Sequence, residues 1–214
     1  MADTWTSGTA RSIAAVLALL CWGALLLQLK LALATGHPNG QPTAEILTNY
    51  FSYFTIFINL FAATMFTWTA LTPSGPPPGL RTVAAVYLAV GGLGYSLLLR
   101  NIWAPQGLQK LADILLHDVI PLAYILFWIV FFRKRATLPW RSAFVWLIWP
   151  LIYLIYSMIR GSIVGWYPYH FLDPRLLSYP RILSTIAGFI IAFLALGLAA
   201  ISLTRRDSPQ APPD

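Results

Sequence analysis

Residues 49–59, Asn49-Tyr50-Phe51-Ser52-Tyr53-Phe54-Thr55-Ile56-Phe57-Ile58-Asn59, form an apolar stretch interrupted by polar side chains at a helical rhythm. With Thr48, the residues Ser52, Thr55 and Asn59 follow the spacing i, i+4, i+7, i+11, which lays all four along one stripe of an α-helix. Aromatic and aliphatic side chains fill the other faces. Inside a membrane such a stripe is costly against lipid, so it is expected to face a protein interior or a wet cavity.

Composition puts this stretch in a membrane. Of 214 residues, 58% are hydrophobic and 10% charged, with a mean hydropathy of +0.68; an ordinary soluble domain carries roughly 25% charged residues. Six apolar runs, at about 13–33, 46–71, 82–99, 108–132, 142–159 and 181–203, have the length needed to cross a hydrocarbon layer of ~30 Å. The expected fold is therefore all-α: one polytopic membrane domain of six transmembrane helices, with residues 1–10 frayed and 207–214 a disordered tail. The first run is too long for a signal-peptide core and lacks a small-x-small cleavage site, so it is expected to be retained. Between the runs, turn residues mark the connectors, including Pro73-Ser74-Gly75-Pro76-Pro77-Pro78-Gly79. In the third run, Gly91, Gly92 and Gly94 permit close helix approach.

The net charge of +7 describes loops beside lipid head groups and forms no nucleic-acid patch. Clusters at Arg133-Lys134-Arg135, Arg141 and Arg205-Arg206 favour an orientation with both termini cytoplasmic. A single cysteine, Cys21, excludes an internal disulfide. His37, His117 and His170 lie in three different segments, and neither a G-x-S-x-G elbow nor a phosphate-binding glycine loop occurs, so no metal or cofactor is expected.

The fourth run carries an unusual load for a membrane helix: Asp113, His117, Asp118 and Pro121. Thr55 and His117 each lie about nine residues into their runs from the same side, hence ~14 Å deep at 1.5 Å per residue. A hydroxyl becomes a nucleophile when a base removes its proton, and histidine suits that task. Asp113 shares the helix face of His117, whereas Asp118 points about 100° away; either carboxylate is a candidate to orient the imidazole. Asn59 or Arg160 could donate to a developing oxyanion, with Ser52 supporting the stripe. In the fifth run Tyr153, Tyr156, Ser157 and Arg160 share one face, and an arginine fork there suits the carboxylate of a lipid; Tyr124 completes the expected substrate contacts. Residues 165–174, Gly-Trp-Tyr-Pro-Tyr-His-Phe-Leu-Asp-Pro, have the aromatic content of an interfacial loop.

Three stretches, Tyr53-Phe54-Thr55-Ile56-Phe57-Ile58-Asn59-Leu60, Leu115-Leu116-His117-Asp118-Val119-Ile120-Pro121 and Gly165-Trp166-Tyr167-Pro168-Tyr169-His170-Phe171-Leu172, together resemble the androgen-induced-protein family of membrane hydrolases and its bacterial six-span relatives. The resemblance covers roughly residues 45–200 in order. It implies hydrolysis of fatty acid esters of hydroxy fatty acids, with Thr55 as nucleophile and His117 as its membrane histidine. The chain departs from the animal pattern in a His-to-Pro interval one residue shorter and in Asp118 directly after the histidine. The expectation is an intramembrane lipid esterase drawing its substrate from the bilayer; the alternative is a lipid or small-molecule binder or transporter using the same polar cavity.

Overall fold

The computed structural model describes residues 7–133 and 137–205. Lys134, Arg135, Arg206 and the 207–214 tail lie outside them. Among the described residues every regular element is helical, and six helices are long and apolar enough to cross a membrane.

Helix α1 (Gly8–Gly36) is capped by the Ser7 hydroxyl, which accepts from the Ala10 amide, so the helix begins earlier than the frayed start expected from composition. Its buried face is a stripe of small residues, Ala10, Ala14, Ala18, Cys21 and Ala24, which lets α3 (Phe54–Leu71) pack closely through Ala62 and Ala63. Polar ties reinforce the pair: Trp22 donates to Thr67 at 3.1 Å and Arg11 to the Ala70 carbonyl at 3.1 Å.

The second run is not one helix. The short α2 (Thr43–Phe51) stops before Ser52, Tyr53 is extended, and α3 starts afresh at Phe54. In a continuous helix the Ser52 carbonyl would accept from Ile56. Here the Tyr153 hydroxyl takes that carbonyl at 3.0 Å, and the Ile56 amide bonds Tyr53 instead. The expected single stripe of Thr48, Ser52, Thr55 and Asn59 is thus cut in two; Thr48 turns outward and bonds its own Ala44 carbonyl.

Helix α4 (Pro78–Leu98) is the most buried span and lies at the centre of the bundle. Its glycines admit neighbours: a Cβ at Gly92 would sit 3.2 Å from the His117 carbonyl oxygen, and one at Gly94 would sit 2.8 Å from the Phe189 ring.

The fourth span is composite, running as α5 (Gly107–Ile114), a π-turn (Leu115–Val119), α6 (Ile120–Phe127) and a second π-turn (Trp128–Phe132). In the first π-turn the Ile120 amide reaches back five residues to Leu115. In that register the next carbonyl, Leu116, would need the amide of Pro121, which proline lacks. Asn59 fills the gap by donating to Leu116 at 3.1 Å. The fifth span repeats the device. Between α7 (Ser142–Val145) and α8 (Ile148–Val164), Pro150 cannot serve the Trp146 carbonyl, and the Tyr87 hydroxyl bonds it at 2.7 Å.

After Gly165, whose positive φ of 69° ends α8, a loop folds back to the bundle and ends at α9 (Tyr179–Arg205). Arg175 pins this loop, donating to both oxygens of Asp173 and to the Gly165 carbonyl at 2.6 Å. That ion pair holds the Asp173 carboxyl below the usual carboxylate range. Arg11, Arg81, Arg133 and Arg205 collect at one end of the bundle; Arg100, Arg160 and Arg175 belong to the other.

Candidate functional site

The break before α3 gives Thr55 its place. It occupies the first turn of a helix, where backbone amides have no partner within the helix and the dipole is positive. Helix α3 has 18 residues and is by itself about 27 Å long, nearly the full hydrocarbon thickness. Thr55 and His117 both lie about 23–24 Å from the arginine-rich ends of their spans at 1.5 Å per residue, so they share a level. Counted along its own helix, Thr55 lies in the first turn of α3 rather than about nine residues into a continuous span, while His117 remains ten residues into the fourth span.

At this level one directional hydrogen-bond chain can be followed. The Thr55 hydroxyl lies 3.3 Å from His117 Nε2. His117 Nδ1 lies 3.0 Å from the Asp113 carbonyl and 3.2 Å from Asp113 Oδ1. Two acceptors on that side fix the ring hydrogen on Nδ1 and leave Nε2 with its lone pair toward Thr55. Tyr95 donates to Asp113 Oδ2 and stacks its ring on the imidazole, with centroids 3.9 Å apart and planes at 13°. From the loop, the Tyr169 hydroxyl comes within 3.2 Å of both the Thr55 amide and the Thr55 hydroxyl. Burial raises the Tyr169 phenol to about 12, so it stays an O–H donor. The ring is held by stacking on Phe171 at 5.0 Å.

The chain borders an apolar cleft of about 100 Å³. Pro150, Leu151 and Leu154 of α8 face Ile186, Phe189 and Ile190 of α9 across it, and Gly91 and Gly94 of α4 lie between them. Its polar contributions are the hydroxyls of Thr55, Tyr95, Tyr153 and Tyr169. Leu151, which lines the cleft, and its α8 neighbours Ile152 and Ile155 are exposed.

Several expected roles move. Asn59 is fully buried, but both hydrogens of its amide are used, on the Thr55 carbonyl at 2.8 Å and on Leu116, so it cannot donate to an oxyanion. It fastens α3 to the π-turn and thereby sets the distance between Thr55 and His117. Ser52 bonds the Thr48 carbonyl and lies 2.7 Å from the Tyr156 hydroxyl, away from the cleft. Asp118 pairs with Arg100, whose guanidinium lies 4.9 Å over the Tyr95 ring, and does not touch His117. Arg160 donates to Asn49 at 2.6 Å and lies over Trp166. With Tyr156 and buried Ser157 it belongs to the face of α8 that clamps the helix break rather than to the cleft lining. Tyr124 is fully buried near the arginine-rich end, donating to the Arg81 carbonyl at 3.2 Å, and touches no substrate space. Two site residues escaped the sequence. Tyr95 lay in a run read only for its glycines, and Tyr169 in a loop read as interfacial. No protein-family model matches the chain, and neither a curated protein nor a solved structure matches it.

Proposed function

We propose that the protein is an intramembrane hydrolase of lipid esters, with Thr55 as nucleophile and His117 as general base, and that its substrates resemble fatty acid esters of hydroxy fatty acids. The observation that carries this reading is the ordered chain Thr55–His117–Asp113: a hydroxyl against the free lone pair of an imidazole whose other nitrogen is anchored. His117 takes the Thr55 proton as Oγ1 bonds the ester carbon, then returns it to the departing alkoxide. Water, activated by the same histidine, releases the fatty acid from the acyl-Thr55 ester. The open apolar cleft suits an acyl chain entering from the bilayer. The termini are proposed to be cytoplasmic, with the site at the opposite face of a bacterial inner membrane, from the arginines gathered at the other end.

A fluorophosphonate probe on the purified protein in detergent, with mapping of the modified residue, tests the assignment. Thr55 is expected to carry the label, and Thr55→Ala to lose both label and ester hydrolysis while eluting as the same folded species. Full turnover in Thr55→Ala removes the nucleophile. Lipid binding without turnover in the wild-type protein would instead favour a binder that uses the same cleft.

A further inference from the structure

The chain Thr55–His117–Asp113 accounts for the movement of a proton but leaves the other half of ester chemistry unassigned. When Oγ1 bonds the ester carbon, the carbonyl electrons move onto oxygen, and that charge needs a donor already in place. Asn59 has no free hydrogen, and Arg160 is turned toward Asn49 and Trp166. One hydroxyl remains that both lines the cleft and touches the nucleophile, that of Tyr169.

We propose that Tyr169 is a catalytic residue that donates its phenolic hydrogen bond to the oxyanion formed on attack by Thr55. This rests on the hydrolase reading and supplies its missing electrophilic member. Three observations support it. The phenol oxygen accepts from the Thr55 amide at 3.2 Å, so a first-turn amide at the positive end of α3 polarises the O–H and strengthens it as a donor. The hydroxyl lies 3.2 Å from Thr55 Oγ1, the atom to which the carbonyl carbon becomes bonded; a small rotation of the O–H takes it from the nucleophile to the adjacent oxyanion. The loop that carries it is fixed by the Asp173–Arg175 pair and by the Tyr167 ring seated on Gly161 of α8, where a Cβ would collide with it. Such a donor is therefore placed before the substrate arrives. No proton leaves Tyr169 in this step: Thr55 gives its proton to His117, the carbonyl gains the charge, and the phenol only shares its hydrogen. Collapse of the intermediate returns the electrons and releases the alkoxide, which takes the proton from His117.

The test compares wild-type protein with Tyr169→Phe, using a medium-chain p-nitrophenyl ester, a trifluoromethyl ketone of the same chain and the corresponding fatty alcohol. The ketone adds to Thr55 as an anionic adduct; the alcohol fills the cleft without reacting. Tyr169→Phe is expected to lower kcat about 10²- to 10³-fold, the scale of losing one oxyanion donor, with KM little changed. Affinity for the ketone should fall by a similar factor while affinity for the alcohol holds. Equal losses on ketone and alcohol, or an unchanged kcat, overturn the role of Tyr169. If Tyr169→Phe does not fold, 3-fluorotyrosine at position 169 keeps the ring and a more acidic O–H; it should bind the ketone more tightly, and unchanged affinity overturns the proposal. Wild-type protein that neither turns over ester nor labels at Thr55 overturns the hydrolase reading itself, and Tyr169 with it. Wild-type turnover beside an unaffected variant removes Tyr169 alone.

Discussion

Asp113 and Asp118 are both paired, but to different ends. Asp113 receives the His117 Nδ1 hydrogen and the Tyr95 hydroxyl; Asp118 holds Arg100 over the Tyr95 ring. Asp113→Asn keeps the residue-113 carbonyl on Nδ1 but removes the carboxylate charge that stabilises the imidazolium formed when His117 takes a proton, and kcat for ester hydrolysis is expected to drop about 10²- to 10⁴-fold with KM nearly unchanged. Asp118→Asn is expected to retain activity within severalfold, because Asp118 touches neither Thr55 nor His117. Steady-state kinetics of the two variants decide the matter, and the reverse ranking would show that the wrong carboxylate was chosen. At this scale the pairing of Thr55 with His117 and of His117 with Asp113 was legible. Similar depth aligns the first pair, and i, i+4 spacing the second. The fate of Asn59 was not, since whether an amide donates to substrate or to an orphaned carbonyl depends on a proline in another helix.

Among the elements, the π-turn at Leu115–Val119 matters most, because a five-residue reach-back rotates His117 relative to an ordinary helix. Pro121 sustains it by withholding an amide. Pro121→Ala is expected to let the segment relax toward the i→i−4 register, turning the imidazole away from Thr55. Turnover should fall at least about tenfold while the melting temperature in detergent stays level or rises, since a helix-interior proline costs ~3 kcal/mol relative to alanine. A lower melting temperature with unchanged turnover would contradict this account. Pro121 was visible in the sequence as a kink, but the change of register was not. The break at Ser52–Tyr53 left no local mark either. Neither residue is glycine or proline, and the helix is interrupted by Tyr153 from the fifth span claiming the Ser52 carbonyl.

For the whole molecule, six apolar spans and an all-α bundle were legible because the hydrocarbon layer dictates both length and composition. Six crossings among the described residues would put Ser7 and Arg205 on one side, the side of Arg11, Arg81, Arg133 and Arg205. An alkaline phosphatase or green fluorescent reporter fused after Asp214 should report a cytoplasmic C-terminus. Phosphatase activity there would invert the orientation and move the site to the cytoplasmic face. Less legible was the role of α8. Its polar face reads as a substrate stripe in sequence, yet it clamps the helix break through Ser52 and Asn49, while its apolar side forms one wall of the cleft.

For the proposed hydrolase, the restart of the second span at Phe54 also bears on where in the bilayer the chemistry would take place. α3, with 18 residues and about 27 Å, is close to the hydrocarbon thickness, so a crossing made by α3 alone would leave its first turn near the head groups. Ester linkages of ordinary lipids lie at that same stratum, between acyl tails and polar heads. For the proposed hydrolase, the scissile bond then need not be dragged toward the bilayer centre. Water for release of an acylated threonine would in that placement come from the adjacent hydrated zone rather than through a channel in the protein.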